Sequence, residues 1–152
     1  LAPYEDALGS CCGQRLPPGG GREWVQEGTS CSFVTTLGGA SQVYCLEEAG
    51  EIRPVYTQAG SVDCIDAAEG SLYFVGMQDG KLQELYRWDC QAQERDQLTT
   101  LNEKVLAGRY VALPQALPYE NDGVDLEGWV LLPKDFDPQK SYPAILDIPR
   151  RP

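Results

Sequence analysis

Histidine is absent from these 152 residues, and that gap excludes more chemistry than any other feature of the composition. Without imidazole, the chain taken alone holds no Ser-His-Asp or Cys-His nucleophile arrangement, no histidine metal site and no histidine acid–base group. A Ser-Lys pair drawn from only four lysines, or a pair of carboxylates, is what remains for an enzyme. Cys-x-x-Cys is also missing, so a zinc site built from closely paired ligands is not expected. Long apolar runs are lacking too: none approaches the roughly 18 to 20 residues that span a bilayer. The N-terminal LAPYEDALGS has neither the basic nor the apolar region of a signal peptide. The expectation is a soluble, cytoplasmic chain with no metal and no cofactor. It begins with Leu1 and not Met, which fits a processed or excised segment.

Positive charge is scarce as well. Twelve basic residues against 23 acidic ones give a net charge of -11, spread along the chain, which argues against nucleic acid or an anionic membrane as partner. The rest of the composition, 42% hydrophobic and 9% aromatic, is ordinary for a globular chain of one domain or two small ones. The six cysteines, Cys11, Cys12, Cys31, Cys45, Cys64 and Cys90, are irregularly spaced. Four of them lie in apolar, strand-like runs, so they read as buried reduced thiols and not as a disulfide framework.

What is present is an internal repeat. Residues 31 to 57, CSFVTTLGGASQVYCLEEAGEIRPVYT, lie over residues 72 to 99, LYFVGMQDGKLQELYRWDCQAQERDQLT, with Phe33 over Phe74, Val34 over Val75, Tyr44 over Tyr86 and Val55 over Leu98. Each copy has an aromatic and β-branched run, a glycine turn (Gly38-Gly39 or Asp79-Gly80), a second run, a polar turn and a third run, the pattern of antiparallel strands joined by hairpins. With the preceding runs, Glu23 to Gln26 and Val62 to Ala67, this predicts four strands in a repeat of about 40 residues, the size of a β-propeller blade. A blade buries its faces only against neighbours, so two blades leave apolar surface open. Self-association through an uncovered blade face or through the terminal strand is therefore expected.

Upstream, LPPGGG before Arg22 suggests anion binding, but a phosphate loop would need a preceding strand, a following helix and a Lys-Ser/Thr pair. A lead-in loop over residues 1–21 is the better reading. Downstream, 101 to 120 reads as three strand-sized pieces broken by Pro114 and Pro118. Asn121-Asp122-Gly123 then makes a turn, VDLEGWVLLP (124–133) a strand, KDFDPQK a polar connector, and Ala144 to Ile148 a last strand apolar on both faces. No segment carries a helical period with caps, so the chain is predicted to be mainly β.

The segment DGVDLEGWVLLPKDFDPQKSYPAILDI resembles the start of the hydrolase domain in the prolyl oligopeptidase family of serine peptidases, in its acylaminoacyl-peptidase and dipeptidyl-peptidase-like branches. The elements that carry this are the Asp122-Gly123 turn, Gly128-Trp129 leading to Leu131-Leu132-Pro133, the Phe-Asp-Pro at 136–138, and Tyr142-Pro143 before an apolar strand. The resemblance covers roughly residues 20 to 148 and implies that propeller blades at 22–60 and 61–105 run into N-terminal strands of an α/β-hydrolase domain at 106–152. It also implies a parent that hydrolyses short or N-acylated peptides through a Ser-His-Asp triad.

In that family the last strand leads into His-Gly-Gly-Pro, part of the oxyanion site. Here Pro149, Arg150, Arg151 and Pro152 stand there, and only the final proline agrees, so the oxyanion role does not carry over. Gly-x-Ser-x-Gly occurs nowhere in the chain. The expectation is a fragment with no catalytic, cofactor-binding or metal-binding residues, inert alone, whose partner is the remainder of the parent peptidase. Two other readings compete with it. One is an independent β-rich module that binds a protein or peptide along its strand edges. The other is a small carboxylate enzyme using Asp122, Asp125 and Glu127, the last two on one face of a strand; solvated turn and edge charges explain these residues more simply.

Overall fold

The computed structural model describes residues 22–37 and 39–147. The lead-in residues 1–21 with Cys11 and Cys12, together with Gly38 and Ile148 to Pro152, lie outside the described residues. The chain separates into two compact units, one up to Val111 and one from Ala112 onward.

In the first unit the repeat becomes two four-stranded antiparallel sheets. The first holds β1 (Trp24–Glu27), β2 (Ser30–Leu37), β3 (Ala40–Leu46) and β4 (Ile52–Tyr56), in that order. The second holds β5 (Cys64–Ala68), β6 (Ser71–Gly76), β7 (Glu84–Asp89) and β8 (Glu94–Gln97). Each strand therefore pairs with its sequence neighbour, as alternating runs joined by short turns dictate. Between β5 and β6 the turn is Glu69-Gly70, with φ of 53° and 73°, and between β6 and β7 Asp79-Gly80 has φ of 54° and 70°. Positive φ at both central residues gives a tight turn the right-handed twist that the flanking strands need.

The aligned aromatic pairs prove to be ladder partners: Phe33 lies opposite Tyr44 and Phe74 opposite Tyr86. The alignment of Val55 with Leu98 needs a correction by one residue. A bulge between Val43 and Tyr44 makes Tyr56 the partner of Val43, while the Leu98 amide donates to the Leu85 carbonyl at the matching place. The extra residue in the bulged strand is Val55, invisible to a repeat that aligns by type.

The core lies between the sheets. Val25, Val34, Val43 and Tyr56 of the first sheet meet Ile65, Leu72, Phe74, Tyr86 and Trp88 of the second, with Val62 from the connection. Tyr56 enters an aromatic cluster, 4.8 Å from the Phe74 ring and 5.1 Å edge-on from Trp88, and Phe74 stacks on Tyr86 at 5.3 Å. Burying each such side chain stabilises the unit by about 1.5–3 kcal/mol. At the end of β6, Gly76 passes tightly against the 61–62 connection that leads into β5.

After β8 the strand pieces expected ahead of Pro114 give way to a single helical turn, α1 (Glu103–Leu106), and an irregular stretch, while the part from Gln115 onward is a strand. The turn forms because the Glu84 carboxylate collects the 101–102 amides ahead of it, a long-range cause absent from the local pattern. In the second unit β9 (Gln115–Asn121) and β10 (Val124–Val130) form a hairpin through Asp122-Gly123, with φ of 53° and 77°. Pro118 does not break β9, because β9 pairs on one side only and an edge strand tolerates the missing donor.

The last expected strand is not formed over its described part. Ala144 to Asp147 takes no regular structure, and Ile145 and Leu146 are 98% and 83% exposed. An apolar strand persists only when neighbours pair its backbone and cover its faces.

Candidate functional site

The cysteine expectation holds for one thiol. Cys45 is buried, Cys31 and Cys64 are half-buried, and Cys90 is exposed; all four are free. Cys31 and Cys64 share their strand faces with Phe33 and Val75 and so miss the face between the sheets, while Cys90, just beyond the end of β7, lies at the open margin of that space beside Cys45 and Leu72. Arg22 is exposed, and it enters the fold through its backbone: its carbonyl accepts a 2.7 Å hydrogen bond from the Ile65 amide. The glycines before it lie outside the described residues.

The carboxylates proposed as a cluster do share a neighbourhood. Asp125 and Glu127 fall on one face of β10, and Asp122 sits in the adjoining turn, all exposed. Asp125 faces Glu120 directly across the hairpin, which places like charges opposite one another. The Asp122 carboxylate accepts only a long 3.4 Å contact from Asn121. This arrangement supplies solvated charge and no desolvated acid–base pair.

A more constrained polar constellation gives no sign of itself in the local sequence. Gln78, in the β6–β7 connection, is fully buried. Its Oε1 accepts from the Tyr56 hydroxyl at 2.8 Å and from Arg95 at 2.8 Å, while its Nε2 donates to the Ser61 carbonyl at 2.8 Å. Arg95, from β8, also donates to the Tyr56 oxygen and pairs with Asp79 at 2.5 Å. Its guanidinium sits 5.4 Å from the Tyr86 ring centre. Burial pushes the Tyr56 phenol up, while the hydrogen bond from Arg95 pulls it down. The cluster joins the last strand of one sheet to the far edge of the next. Its groups satisfy one another, which makes it a clamp between sheets and leaves no activated nucleophile.

A second constellation surrounds Glu84. Its carboxylate accepts from the Thr99 hydroxyl, the Leu101 and Asn102 amides and the Asn102 side chain. The Thr99 hydroxyl above all, helped by those amides, holds the carboxyl below its usual range, against the opposing effect of burial. The neighbouring cavity of about 340 Å3 is lined by Lys81, Gln97 and Glu103 as well, and Lys81 is engaged with Gln97 at 2.8 Å. Glu84 thus anchors the chain where it leaves the second sheet. Among the described residues no three His, Cys, Asp or Glu side chains gather as a metal site would require, and no helix is long and apolar enough to cross a membrane.

Two antiparallel four-stranded meanders, stacked face to face and followed by a hairpin, define the class: propeller-type blades leading into a further sheet. Comparison with known proteins gives the particular likeness. No protein-family model matches. The chain is 24% identical over 128 residues to the uncharacterized peptidase YuxL of Bacillus subtilis (strain 168), a match covering 82% of this chain and 19% of that protein. It superposes on the Pyrococcus horikoshii acylaminoacyl peptidase with a TM-score of 0.61 and 24% identity, over 75% of this chain and 18% of that one. An acylaminoacyl peptidase in complex with Z-Gly-Gly-Phe-chloromethyl ketone gives a TM-score of 0.62 and 23% identity, over 77% and 19%. The resemblance to prolyl oligopeptidase-family peptidases, in the acylaminoacyl-peptidase branch, is borne out, and it is a resemblance to a fragment: the chain spans less than a fifth of the length of these relatives.

Proposed function

We propose that these residues are a scaffold segment of a serine peptidase of the acylaminoacyl-peptidase kind, with blades at 22–60 and 61–105 and the first hydrolase strands within 106–152. The observation that carries this reading is the match of about three quarters of this mostly β chain to under a fifth of two solved acylaminoacyl peptidase structures. On this reading the parent cleaves short or N-acylated peptides in the cytoplasm through a triad supplied by residues outside this chain. The segment contributes no catalytic side chain: the clamp at Gln78 and Arg95 holds blades together, and Glu84 fixes the departure of the chain toward the hydrolase strands. Its partner is the remainder of the parent.

The test is an assay of the purified 152-residue chain with chromogenic acylated amino acids and dipeptides, with and without a serine-directed inhibitor. No inhibitor-sensitive turnover is expected. Turnover abolished by the inhibitor would show that the segment carries chemistry of its own and would sink the scaffold reading.

A further inference from the structure

We propose that Cys90 is a site of thiol modification with Cys45 as its resolving partner, so that a low-molecular-weight disulfide converts the pair into a covalent bridge between the two sheets. The inference is independent of the peptidase reading, since both cysteines and the groups around them belong to the first unit.

Register brings the two thiols to one place from opposite sides. In the first sheet Ser32, Cys45 and Arg53 are cross-strand partners and share one face. Cys45 lies two residues beyond Val43 on β3, which puts that row on the side that meets the second sheet. In the second sheet Cys90 continues the alternation of Tyr86 and Trp88, whose side chains meet the first. Both cysteines, with Arg53 and Leu72, line an open cleft of about 200 Å3. Both are free. Among the described cysteines these two alone face a common space, because Cys31 and Cys64 lie on the faces turned away from it. Facing sheets pack about 10 Å apart, whereas a disulfide needs its Cα atoms within about 7 Å, so one partner must stand off its strand. Cys90 does: it occupies the turn after β7, where its amide reaches the Gly70 carbonyl only at 3.4 Å. A residue tied that loosely has room to close on Cys45.

Unequal access sets the order of events. Cys90 is exposed, whereas Cys45 is buried. The Cys90 thiolate attacks one sulfur of the small disulfide, expels a thiolate and forms a mixed disulfide. The Cys45 thiolate then attacks the Cys90 sulfur and expels the second small thiolate. Two protein thiols are oxidised to one disulfide, one small disulfide is reduced to two thiols, and each cysteine proton ends on an expelled thiolate. The Arg53 guanidinium interacts favourably with negative charge on either sulfur. Burial nonetheless pushes the Cys90 thiol up, and Asp89 and Glu27 add to this, against the Leu72 amide and Arg53. Exchange is therefore slow near neutrality, and the bridge forms under sustained oxidising conditions.

The experiment treats the native protein that contains this segment with oxidised glutathione, traps the remaining thiols with iodoacetamide and maps the peptides. The wild type should yield a peptide pair linking Cys45 to Cys90, which dithiothreitol separates, with little glutathione retained on either. Cys45→Ser should accumulate glutathione on Cys90, because the resolving thiol is gone, and Cys90→Ser should leave Cys45 unmodified. Arg53→Gln should slow bridge formation severalfold near neutrality. The wild-type rate should still be rising above pH of about 8.5, the ordinary thiol value. A wild type whose Cys90 stays reduced, keeps glutathione as stably as Cys45→Ser does, or bridges to any other cysteine would overturn the proposal.

Discussion

Gln78 shows at the scale of single residues how little a local pattern says about burial. In the sequence it is one polar residue in GMQDG, a stretch that reads as a turn. Its burial is set by Ser61, Tyr56 and Arg95, which come from three other segments. Replacing it with leucine leaves the Tyr56 hydroxyl, the Ser61 carbonyl and one guanidinium donor without their buried partner. Gln78→Leu should lower stability by roughly 1–3 kcal/mol in urea unfolding. The carboxylates of β10, which are legible in the sequence, should matter far less: Asp125→Ala or Glu127→Ala should change stability by no more than about 0.5 kcal/mol. Asp125→Ala removes the repulsion from Glu120. Glu84 adds a pH dependence. Its folded carboxyl is held below the unfolded value of about 4.3, so its contribution is complete above that value and is lost as pH falls through the folded one. The stability gap between wild type and Glu84→Gln should therefore be widest near neutrality and shrink in acid, as read by urea midpoints at several pH values.

Among the elements, turns and strand identities are legible in the sequence and endings are not. Asp79-Gly80 and Asp122-Gly123 form the turns their residue types demand, and the paired aromatics of the repeat are ladder partners. The bulge opposite Val43 cannot be read, because an inserted residue leaves the sequence of types intact. The run at 144–147 reads as a buried strand because its composition is that of one, yet a strand is defined by neighbours, and Ile145 and Leu146 lie open. The tight passage of Gly76 along the 61–62 connection yields a sharp test. A methyl group on Gly76 would overlap the Ser61 carbonyl, a backbone atom that cannot swing aside. Gly76→Ala should destabilise the first unit by roughly 1–3 kcal/mol, measured by chemical unfolding with the core tryptophan Trp88 as probe.

For the whole molecule, absence and repetition are the informative signals. Lack of histidine by itself removes the triad from this chain, and a repeat of about 40 residues points to blades. How the blades are held to one another at Gln78, and how the chain is fixed on leaving the second one at Glu84, is invisible in the sequence, since both depend on long-range partners. The central claim is that this segment supports a peptidase whose nucleophile lies elsewhere in a longer polypeptide. The most direct measurement is labelling of the native protein that contains this segment with a fluorophosphonate, followed by peptide mapping. The label should fall on a serine within a Gly-x-Ser-x-Gly sequence outside these 152 residues; a native polypeptide that takes no label, or a label on any serine within them, would contradict the account.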